Sequence, residues 1–266
     1  MVKIHLYGLR RKFKNSMISI FIILLTILSV FTLISIVGNV LYLVMRPLFA
    51  SGIFSQTALD DVHFAVHIIM ETLSLLSIAL IISTLLALGS AFLITEYGTS
   101  FVIRTIRLFI DVLAGMPGIL IGMSVYGIGL IDRGFIIWQM IVVALIVFLA
   151  PKLAKGFAQI FSGIPLHYRE AAYAIGASRI QVIFRILLPM TKRALIASVF
   201  LGIARTIGTV APVMLFGTPI HFLSLDIYHT AITGQLNQAA ISSFFLLTIV
   251  FVLYTIAAWL DQKIIE

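Results

Sequence analysis

The sequence predicts an all-α, polytopic membrane protein with six transmembrane helices. Hydrophobic residues make up 61% of its 266 positions and charged residues only 11%, whereas charged residues make up roughly a quarter of a typical soluble domain. Its mean hydropathy is +1.17. Apolar stretches of about the length needed to cross a bilayer recur along the chain. They lie at about residues 17–45, 72–94, 108–131, 135–150, 194–216 and 242–260.

The first apolar stretch follows a basic segment, residues 1–16, that includes Arg10, Arg11 and Lys12. The run at 17–45 is too long for the hydrophobic core of a cleavable signal peptide, so we expect it to be retained as the first transmembrane helix. The other five stretches lie within residues 71–260, which we expect to form one transmembrane core. A polar interruption at 151–193 predicts a loop outside the bilayer.

The basic residues predict the orientation of these helices. If the N-terminus is cytoplasmic, fifteen of the 18 Lys and Arg residues lie in cytoplasmic segments, Arg46 and Arg133 lie outside, and Arg205 lies within a span. Positive residues concentrate on the cytoplasmic side of membrane proteins. We therefore expect both termini and the 151–193 loop to be cytoplasmic. The net charge of +8 then reflects topology and contact with anionic lipid, not nucleic acid.

The segment from Glu170 to Pro189 is the least membrane-like part of the chain. The residues before Gly176 favour a helix, and a glycine permits the backbone conformation that ends one. Ser178 and Gln181 form a capping-box pattern, which predicts a second helix that ends at Pro189. A compact helix pair of this kind either binds in the groove of a partner protein or lies at the membrane interface without one.

The third span contains residues that interrupt its apolar pattern. Pro117 and Gly118 lie among further glycines, which predicts a kinked or broken helix. Backbone groups freed at membrane depth are tolerated only where they face protein or a water-filled path. The break therefore indicates either a transport pathway or a packing kink at which neighbouring helices approach closely.

The fifth span contains Arg205. This residue lies about eleven positions, or roughly 16 Å of helix, beyond the expected start of the span at Ala194, and a charge at that depth requires a cavity or a partner. Thr209 lies one turn further on the same helical face. Arg205 and Thr209 therefore predict an anion pathway. The alternative is a structural ion pair with a carboxylate on a neighbouring helix or subunit, for which Asp111 in the third span is a candidate.

Several kinds of site are excluded or disfavoured by the residue types. The chain has no cysteine, so it has no disulfide and no thiolate metal site. The pattern G-x4-G-K-[ST] is absent, so the chain does not hydrolyse nucleotide by that route. The four histidines near the expected outer loops lack metal-ligand spacing, so we expect no metal site. They are His63, His67, His221 and His229. Hydrolase motifs are also absent, so we expect no catalytic residues.

The polar segment resembles the cytoplasmic-loop motif of ABC importer permeases, E-A-A-x3-G-x9-I-x-L-P, at every fixed position. The matching residues are Glu170, Ala171, Ala172, Gly176, Ile186, Leu188 and Pro189. In that family the loop is the coupling element, whose first helix docks in a cleft of the ATPase subunit. The resemblance implies the type I ABC importer permease fold with a cytoplasmic coupling helix.

Four segments together resemble the phosphate-specific members of this family, and the A-type of their two permease subunits more than the C-type. They are residues 91–97, 113–117, the coupling loop and 204–212. The resemblance extends from about Glu71 to the C-terminus. Two positions depart from the pattern: Thr209 stands where the related permeases usually have an acidic residue, and Gly118 where they usually have serine.

The resemblance implies a permease subunit that moves inorganic phosphate into the cytoplasm by alternating access, in the inner membrane of a bacterium. Its partners would be a second, C-type permease subunit, two ATPase subunits and an extracytoplasmic phosphate-binding protein. The chain itself would bind no cofactor, since ATP and Mg would be bound by the ATPase subunits. The alternatives are a permease for another oxyanion, such as molybdate, sulfate or phosphonate, and a membrane scaffold without a transport role.

Overall fold

The computed structural model of the chain describes residues 2–51, 56–98, 100–131, 136–217 and 221–262. Within these ranges all regular structure is helical, as predicted. The helices are α1 (Val2–Ser51), α2 (Gln56–Glu96), α3 (Phe101–Gly115), α4 (Gly118–Ile131), α5 (Ile137–Ser162), α6 (Leu166–Ala174), α7 (Arg179–Val182), α8 (Leu188–Ile207), α9 (Leu223–Ile232) and α10 (Leu236–Gln262). A π-helical turn (Ile183–Leu187) joins α7 to α8, and a 3-10 turn (Met214–Phe216) follows α8.

The chain divides into two compact units, Met1–Ser55 and Gln56–Glu266. The first contains α1, whose apolar part, Ser16–Met45, is 30 residues long. Most of its large apolar side chains are exposed, among them Phe21 and Phe31. A helix of this length that is apolar on every side is suited to contact with lipid. The helix covers the stretch expected to be the first span, residues 17–45, and that assignment stays a prediction.

Helix α5 lies at the centre of the second unit and packs against α2, α3, α4 and α8. It is the most buried candidate span, with 56% of its apolar window buried against 28% or less in the others. We expected this span to end at Ala150, but α5 continues to Ser162. Its apolar run stops at Lys152, yet Phe157 and Phe161 continue a buried stripe at helical spacing. Packing therefore extends the helix beyond its hydropathy boundary.

The predicted third span is sharply bent. Helices α3 and α4 meet at a break of two residues, and their axes differ by 104°. The N–H of Met116 bonds to the carbonyl oxygen of Leu113 (3.2 Å) at the end of α3. Pro117 follows, and proline has no N–H with which to continue the helix. The predicted break is confirmed, and it is wider than an ordinary proline kink.

The fifth span differs from its prediction, residues 194–216, at both ends. The candidate span is Arg179–Ile207, and the residues from 208 to 213 form turns and irregular backbone. Gly208 ends the helix, and Pro212 has no N–H with which to resume it. Arg205 consequently lies in the last turn of α8, not in the middle of a span.

The remaining predicted spans, 72–94 and 242–260, lie within Asp60–Glu96 and Leu236–Asp261. Among the described residues, five helices are long and apolar enough to cross a membrane, and six spans result if the bent pair counts as one. This agrees with the six spans predicted.

Candidate functional site

A cavity of about 530 Å³ lies between α3, α5 and α8. Its walls are mostly small or apolar, and four charged side chains line it: Asp111, Lys152, Lys155 and Arg205. Three cations and one anion give the lining a net positive charge. A cleft lined by one sign of charge with low-dielectric walls concentrates ions of the opposite sign. The cavity is therefore suited to a small anion.

The basic residues of the cavity have different partners. Lys155 Nζ forms an ion pair with Asp111 Oδ1 at 2.9 Å. Lys152 Nζ lies 3.1 Å from the centre of the Phe148 ring and donates to the Phe148 carbonyl oxygen at 3.2 Å. Arg205 is exposed and forms no ion pair with any residue that the structure describes. The alternative pairing of Arg205 with Asp111 is therefore not found, and the guanidinium of Arg205 faces an open cavity.

A smaller cavity of about 250 Å³ adjoins the first. The two share Asp111, Lys155 and Gln159, and the smaller one adds Arg107. The Arg107 Nη2 donates to the carbonyl oxygen of Ile94, near the end of α2, at 3.4 Å. The basic lining thus continues from Arg205 towards the C-terminal end of α2.

The break in the third span, at Gly118, lies against the turn that follows α8, at Ala211 and Pro212. A Cβ atom built on Gly118 would lie 3.1 Å from Pro212 Cδ, 3.2 Å from Phe148 Cε2 and 3.3 Å from Ala211 Cβ. These contacts are tight enough that a larger side chain would require its neighbours to shift. Close packing is thus the physical reason for glycine at this position.

Thr209 lies beyond the end of α8, and its hydroxyl donates to the carbonyl oxygen of Arg205 at 2.6 Å. It therefore binds the backbone of the last turn and does not lie one helical turn beyond Arg205, as we expected. Of the predicted pathway residues, Arg205 is among those that line the cavity, whereas Pro117, Gly118 and Thr209 are not.

The polar segment forms the predicted turn. Gly176 has φ +83°, a conformation that favours glycine, and the N–H of Ala177 bonds to the carbonyl oxygen of Ala172 at 3.0 Å. The capping box also forms as predicted. The N–H of Gln181 donates to Ser178 Oγ at 3.3 Å, and the N–H of Ser178 donates to Gln181 Oε1 at 2.8 Å.

The sequence predicted that the second helix ends at Pro189. That prediction is wrong, because the helix continues. Helix α7 passes through the π-helical turn into α8, and the N–H of Leu188 bonds to the carbonyl oxygen of Ile183, five residues back. Pro189 lies in the first turn of α8. The wider turn accommodates a proline ring that would clash with the carbonyl group four residues back in a regular α-helix. The helix therefore continues.

The motif residues of this segment differ in exposure. Glu170, Ala171, Gly176 and Pro189 are exposed, Ile186 and Leu188 are partly buried, and Ala172 is buried. Large apolar side chains also remain exposed near the turn: Ile175 (87%), Ile180 (65%) and Phe184 (61%). Exposed apolar side chains grouped on a polar segment are typical of an interaction surface.

Glu96, the last residue of α2, binds this segment. Its Oε1 lies 3.0 Å from Arg169 Nε, and its Oε2 accepts a hydrogen bond from the Tyr173 hydroxyl at 3.0 Å. Arg169 also donates to the carbonyl oxygens of Ile164 (3.2 Å) and Phe161 (2.7 Å). Burial raises the pKa of the Tyr173 phenol, and its hydrogen bond to Glu96 raises it further. The phenol therefore stays protonated and remains a donor.

A second polar cluster lies where α9 meets α2. His221 Nδ1 lies 2.9 Å from Asp226 Oδ1, and the backbone N–H of His221 donates to Glu71 Oε2 at 3.2 Å. Glu71 Oε1 lies 3.6 Å from His67 Nδ1. Burial raises the pKa of Asp226, and the hydrogen bond with His221 opposes that shift. In the described parts of the chain, no group of three or more His, Cys, Asp or Glu residues could hold a metal ion.

Residues 85–266 match the protein family described as "Binding-protein-dependent transport system inner membrane component". This match covers well over half of the chain. The chain belongs to this family. It is thus the membrane component of a transport system and not itself an enzyme.

This permease is similar to two proteins named for phosphate transport. Phosphate transport system permease protein PstA 1 of Mycobacterium tuberculosis (strain CDC 1551 / Oshkosh) is 28% identical over 233 residues, which cover 83% of this chain and 75% of that protein. The probable phosphate transport system permease protein PstA of Methanocaldococcus jannaschii is 29% identical over 194 residues, or 72% of this chain and 67% of that one.

The solved structures confirm the predicted ABC importer permease fold. A chain of the inward-facing MetNI methionine ABC transporter matches this permease with a TM-score of 0.61 at 19% sequence identity. The match covers 79% of this chain and 98% of that chain. At this level of identity the likeness concerns the fold alone.

Sequence reasoning missed two basic residues of the permease cavity. Lys152 and Lys155 follow the apolar run that predicts the fourth span, so we counted them as loop charges. In the structure both lie on α5 and line the cavity. Their three-residue spacing places them on one face of a helix. That spacing is the signal that could have found them.

Proposed function

We propose that this chain is the permease subunit of an ATP-driven importer that moves inorganic phosphate into the cytoplasm by alternating access. The observation that carries the proposal is the basic cavity, in which Arg205 faces open space without an ion-pair partner among the described residues. Two relatives that carry the name of phosphate transport permeases support the choice of anion.

The basic side chains have distinct roles in this proposal. Arg205 binds the anion directly, because a guanidinium offers paired donors that match two oxygens of phosphate. Lys152 supplies positive charge at one wall. The ion pair of Lys155 with Asp111 (2.9 Å) moderates the field, so that binding stays weak enough for release. No covalent step is required of this chain.

The segment around α6 is, in the same proposal, the docking site of an ATPase subunit. Its exposed surface combines Glu170 and Ala171 with the apolar side chains Ile175, Ile180 and Phe184. ATP and Mg would be bound by two such ATPase subunits. A second, C-type permease subunit would complete the pathway, and an extracytoplasmic phosphate-binding protein would deliver the anion at the opposite face. Both termini and α6 would then lie in the cytoplasm of a bacterial cell.

Reconstitution of the whole complex in proteoliposomes tests the function. ATP hydrolysis and uptake are measured with the binding protein loaded in turn with phosphate, sulfate or molybdate. We expect stimulation by phosphate alone. A response to sulfate or molybdate would mean that the substrate is that oxyanion and would leave the proposed mechanism unchanged. If no ATPase copurifies with the chain, the alternative of a membrane scaffold is favoured.

We expect Arg205→Ala to lower phosphate uptake at least about tenfold, because a hydrogen bond to a charged group contributes roughly 1.5–3 kcal/mol. Arg205→Lys should retain part of the uptake, since it keeps the charge. Arg104→Ala, which removes an exposed arginine of α3 outside the cavity lining, is the matched control. Parental uptake by Arg205→Ala would remove Arg205 from the pathway.

A further inference from the structure

Residues of two helices, α6 and α7, bind the end of α2. Arg169 and Tyr173 of α6 bind the Glu96 carboxylate. Arg179 of α7 donates to the carbonyl oxygen of Glu96 at 3.3 Å and lies 4.6 Å over the ring of Tyr97. Both helices that flank the glycine turn therefore bind the last residues of α2.

The geometry is that of a rigid joint. The side chains of Glu96 and Arg169 are only 4% and 11% exposed. Three nitrogens of the Arg169 guanidinium have separate acceptors: the Glu96 carboxylate and the carbonyl groups of Phe161, near the end of α5, and Ile164, just beyond it. A planar guanidinium bound at three positions is fixed in orientation as well as in place. Helix α6 is therefore held against the ends of both α2 and α5.

Stability alone does not account for a charged pair at this position. A buried ion pair is often no more stabilising than apolar side chains of similar volume. The pair does supply charge-assisted hydrogen bonds of fixed direction, which resist displacement of α6 relative to α2. Ala172 lies one helical turn after Arg169 on α6 and packs in the same hydrophobic core as Val182 of α7. Apolar packing therefore supports the joint as well.

We propose that Glu96 is the positioning residue that makes α6 and α2 move together when an ATPase displaces the coupling segment. The inference rests on the proposed function, because it takes α6 to be the docking helix. From α2 the movement passes to α5, since the rings of Phe92 and Phe161 stack at 4.7 Å. Helix α5 carries Lys152 and Lys155 of the cavity. Glu96 thereby links the docking surface to the cavity while lying in neither.

The substitution Glu96→Gln tests the joint. It keeps the size of the side chain and leaves the buried charge of Arg169 without a carboxylate. In proteoliposomes that hold the whole complex, we expect phosphate uptake per ATP hydrolysed to fall about tenfold, within the usual range of coupling between two sites. Asp261→Asn, at an exposed carboxylate in the last turn of α10, is the matched control and should leave this ratio unchanged.

A double-mutant cycle separates the joint from a general loss of structure. If Glu96 acts through Arg169, then Glu96→Gln combined with Arg169→Gln should be no worse than the more damaging single variant. Effects that multiply would mean that the two residues act independently and would overturn the proposal.

A second measurement needs no substrate. Because the chain contains no cysteine, spin labels can be placed on single cysteines at Leu93 of α2 and Ala174 of α6. We expect one narrow distance distribution that ATP does not change in the parent, and a broader one in Glu96→Gln. A parent with the narrow distribution that fails to transport phosphate would overturn the proposed function alone. A parent that transports phosphate, beside a Glu96→Gln variant with the parental distribution and ratio, would overturn the joint alone.

Discussion

At the scale of single residues, the contact between α4 and the turn after α8 depends on glycine. A Cβ atom built on Gly122 would lie 2.6 Å from the carbonyl oxygen of Pro212. That oxygen belongs to the backbone, so the contact cannot be relieved by a change of rotamer. Together with Gly118, Gly122 sets how closely the bent pair α3–α4 approaches the end of α8, where Arg205 lies.

We therefore expect Gly122→Ala to lower the free energy of unfolding by about 1–3 kcal/mol, the usual cost of overpacking a filled core. Thermal unfolding of the purified permease in detergent measures this. Gly127→Ala in the same helix is the control, because a Cβ atom there would meet nothing within 4 Å. Equal melting temperatures for the two variants would contradict the packing argument.

The sequence could predict some residues of the site and not others, for a physical reason. Arg205 stands out because a charge within an apolar run requires an explanation. Lys152 and Glu96 lie at the ends of such runs, where charges are ordinary. What distinguishes them is their contacts: Lys152 lines a cavity with Arg205, and Glu96 is buried against Arg169. Contacts between helices that are distant along the chain cannot be read from a single amino-acid sequence.

At the scale of elements, the glycine turn and the π-helical turn differ in how far local sequence determines them. Gly176 and the Ser178–Gln181 capping box act within a few residues, so the sequence predicted them correctly. The continuation of the helix past Pro189 depends on packing, because Ile183 and Leu187 of the π-helical turn are buried in the core. A rule for isolated helices places the helix end at the proline, and tertiary contacts override it.

Replacement of Gly176 tests the turn as a coupling element. At φ +83° a β-branched side chain is strained, so Gly176→Val should disturb the path from α6 to α7. We expect stimulation of ATP hydrolysis by the loaded binding protein to fall by roughly tenfold, while the amount of permease in the membrane stays unchanged. Gly176→Asn should retain most of the activity, because asparagine tolerates this conformation. Full stimulation in Gly176→Val would count against a coupling role.

At the scale of the whole second unit, contacts along α5 decide how the bent pair lies. Three contacts join the bent pair to α5, and their residue numbers rise along the bent pair as they fall along α5. They are Asp111 with Lys155, Gly118 with Phe148, and Gly129 with Met140. From the first of these contacts to the last, the chain of the bent pair therefore progresses along α5 in the direction opposite to that of α5. Glu96 at the end of α2 contacts α6, which follows the end of α5, so α2 and α5 end on the same side. The chain must cross between them, and the bent pair is one span despite its 104° break.

This topology gives the second unit five spans, which together with α1 make six, and it places α6 and the end of α10 on one side and α9 on the other. Hydropathy predicted the number of spans, while the direction of the bent pair required the contacts. Single cysteines at Ile175, Tyr228 and Asp261, all exposed, test the arrangement in a chain that has no cysteine of its own. With a membrane-impermeant thiol reagent, we expect the variants Ile175→Cys and Asp261→Cys to react only in inside-out vesicles. The reason is that the positive residues favour a cytoplasmic face there. Tyr228 should react only in right-side-out vesicles. Labelling of Ile175→Cys and Tyr228→Cys from the same side would mean that the candidate span between them, Arg179–Ile207, does not cross the membrane, and would contradict this arrangement.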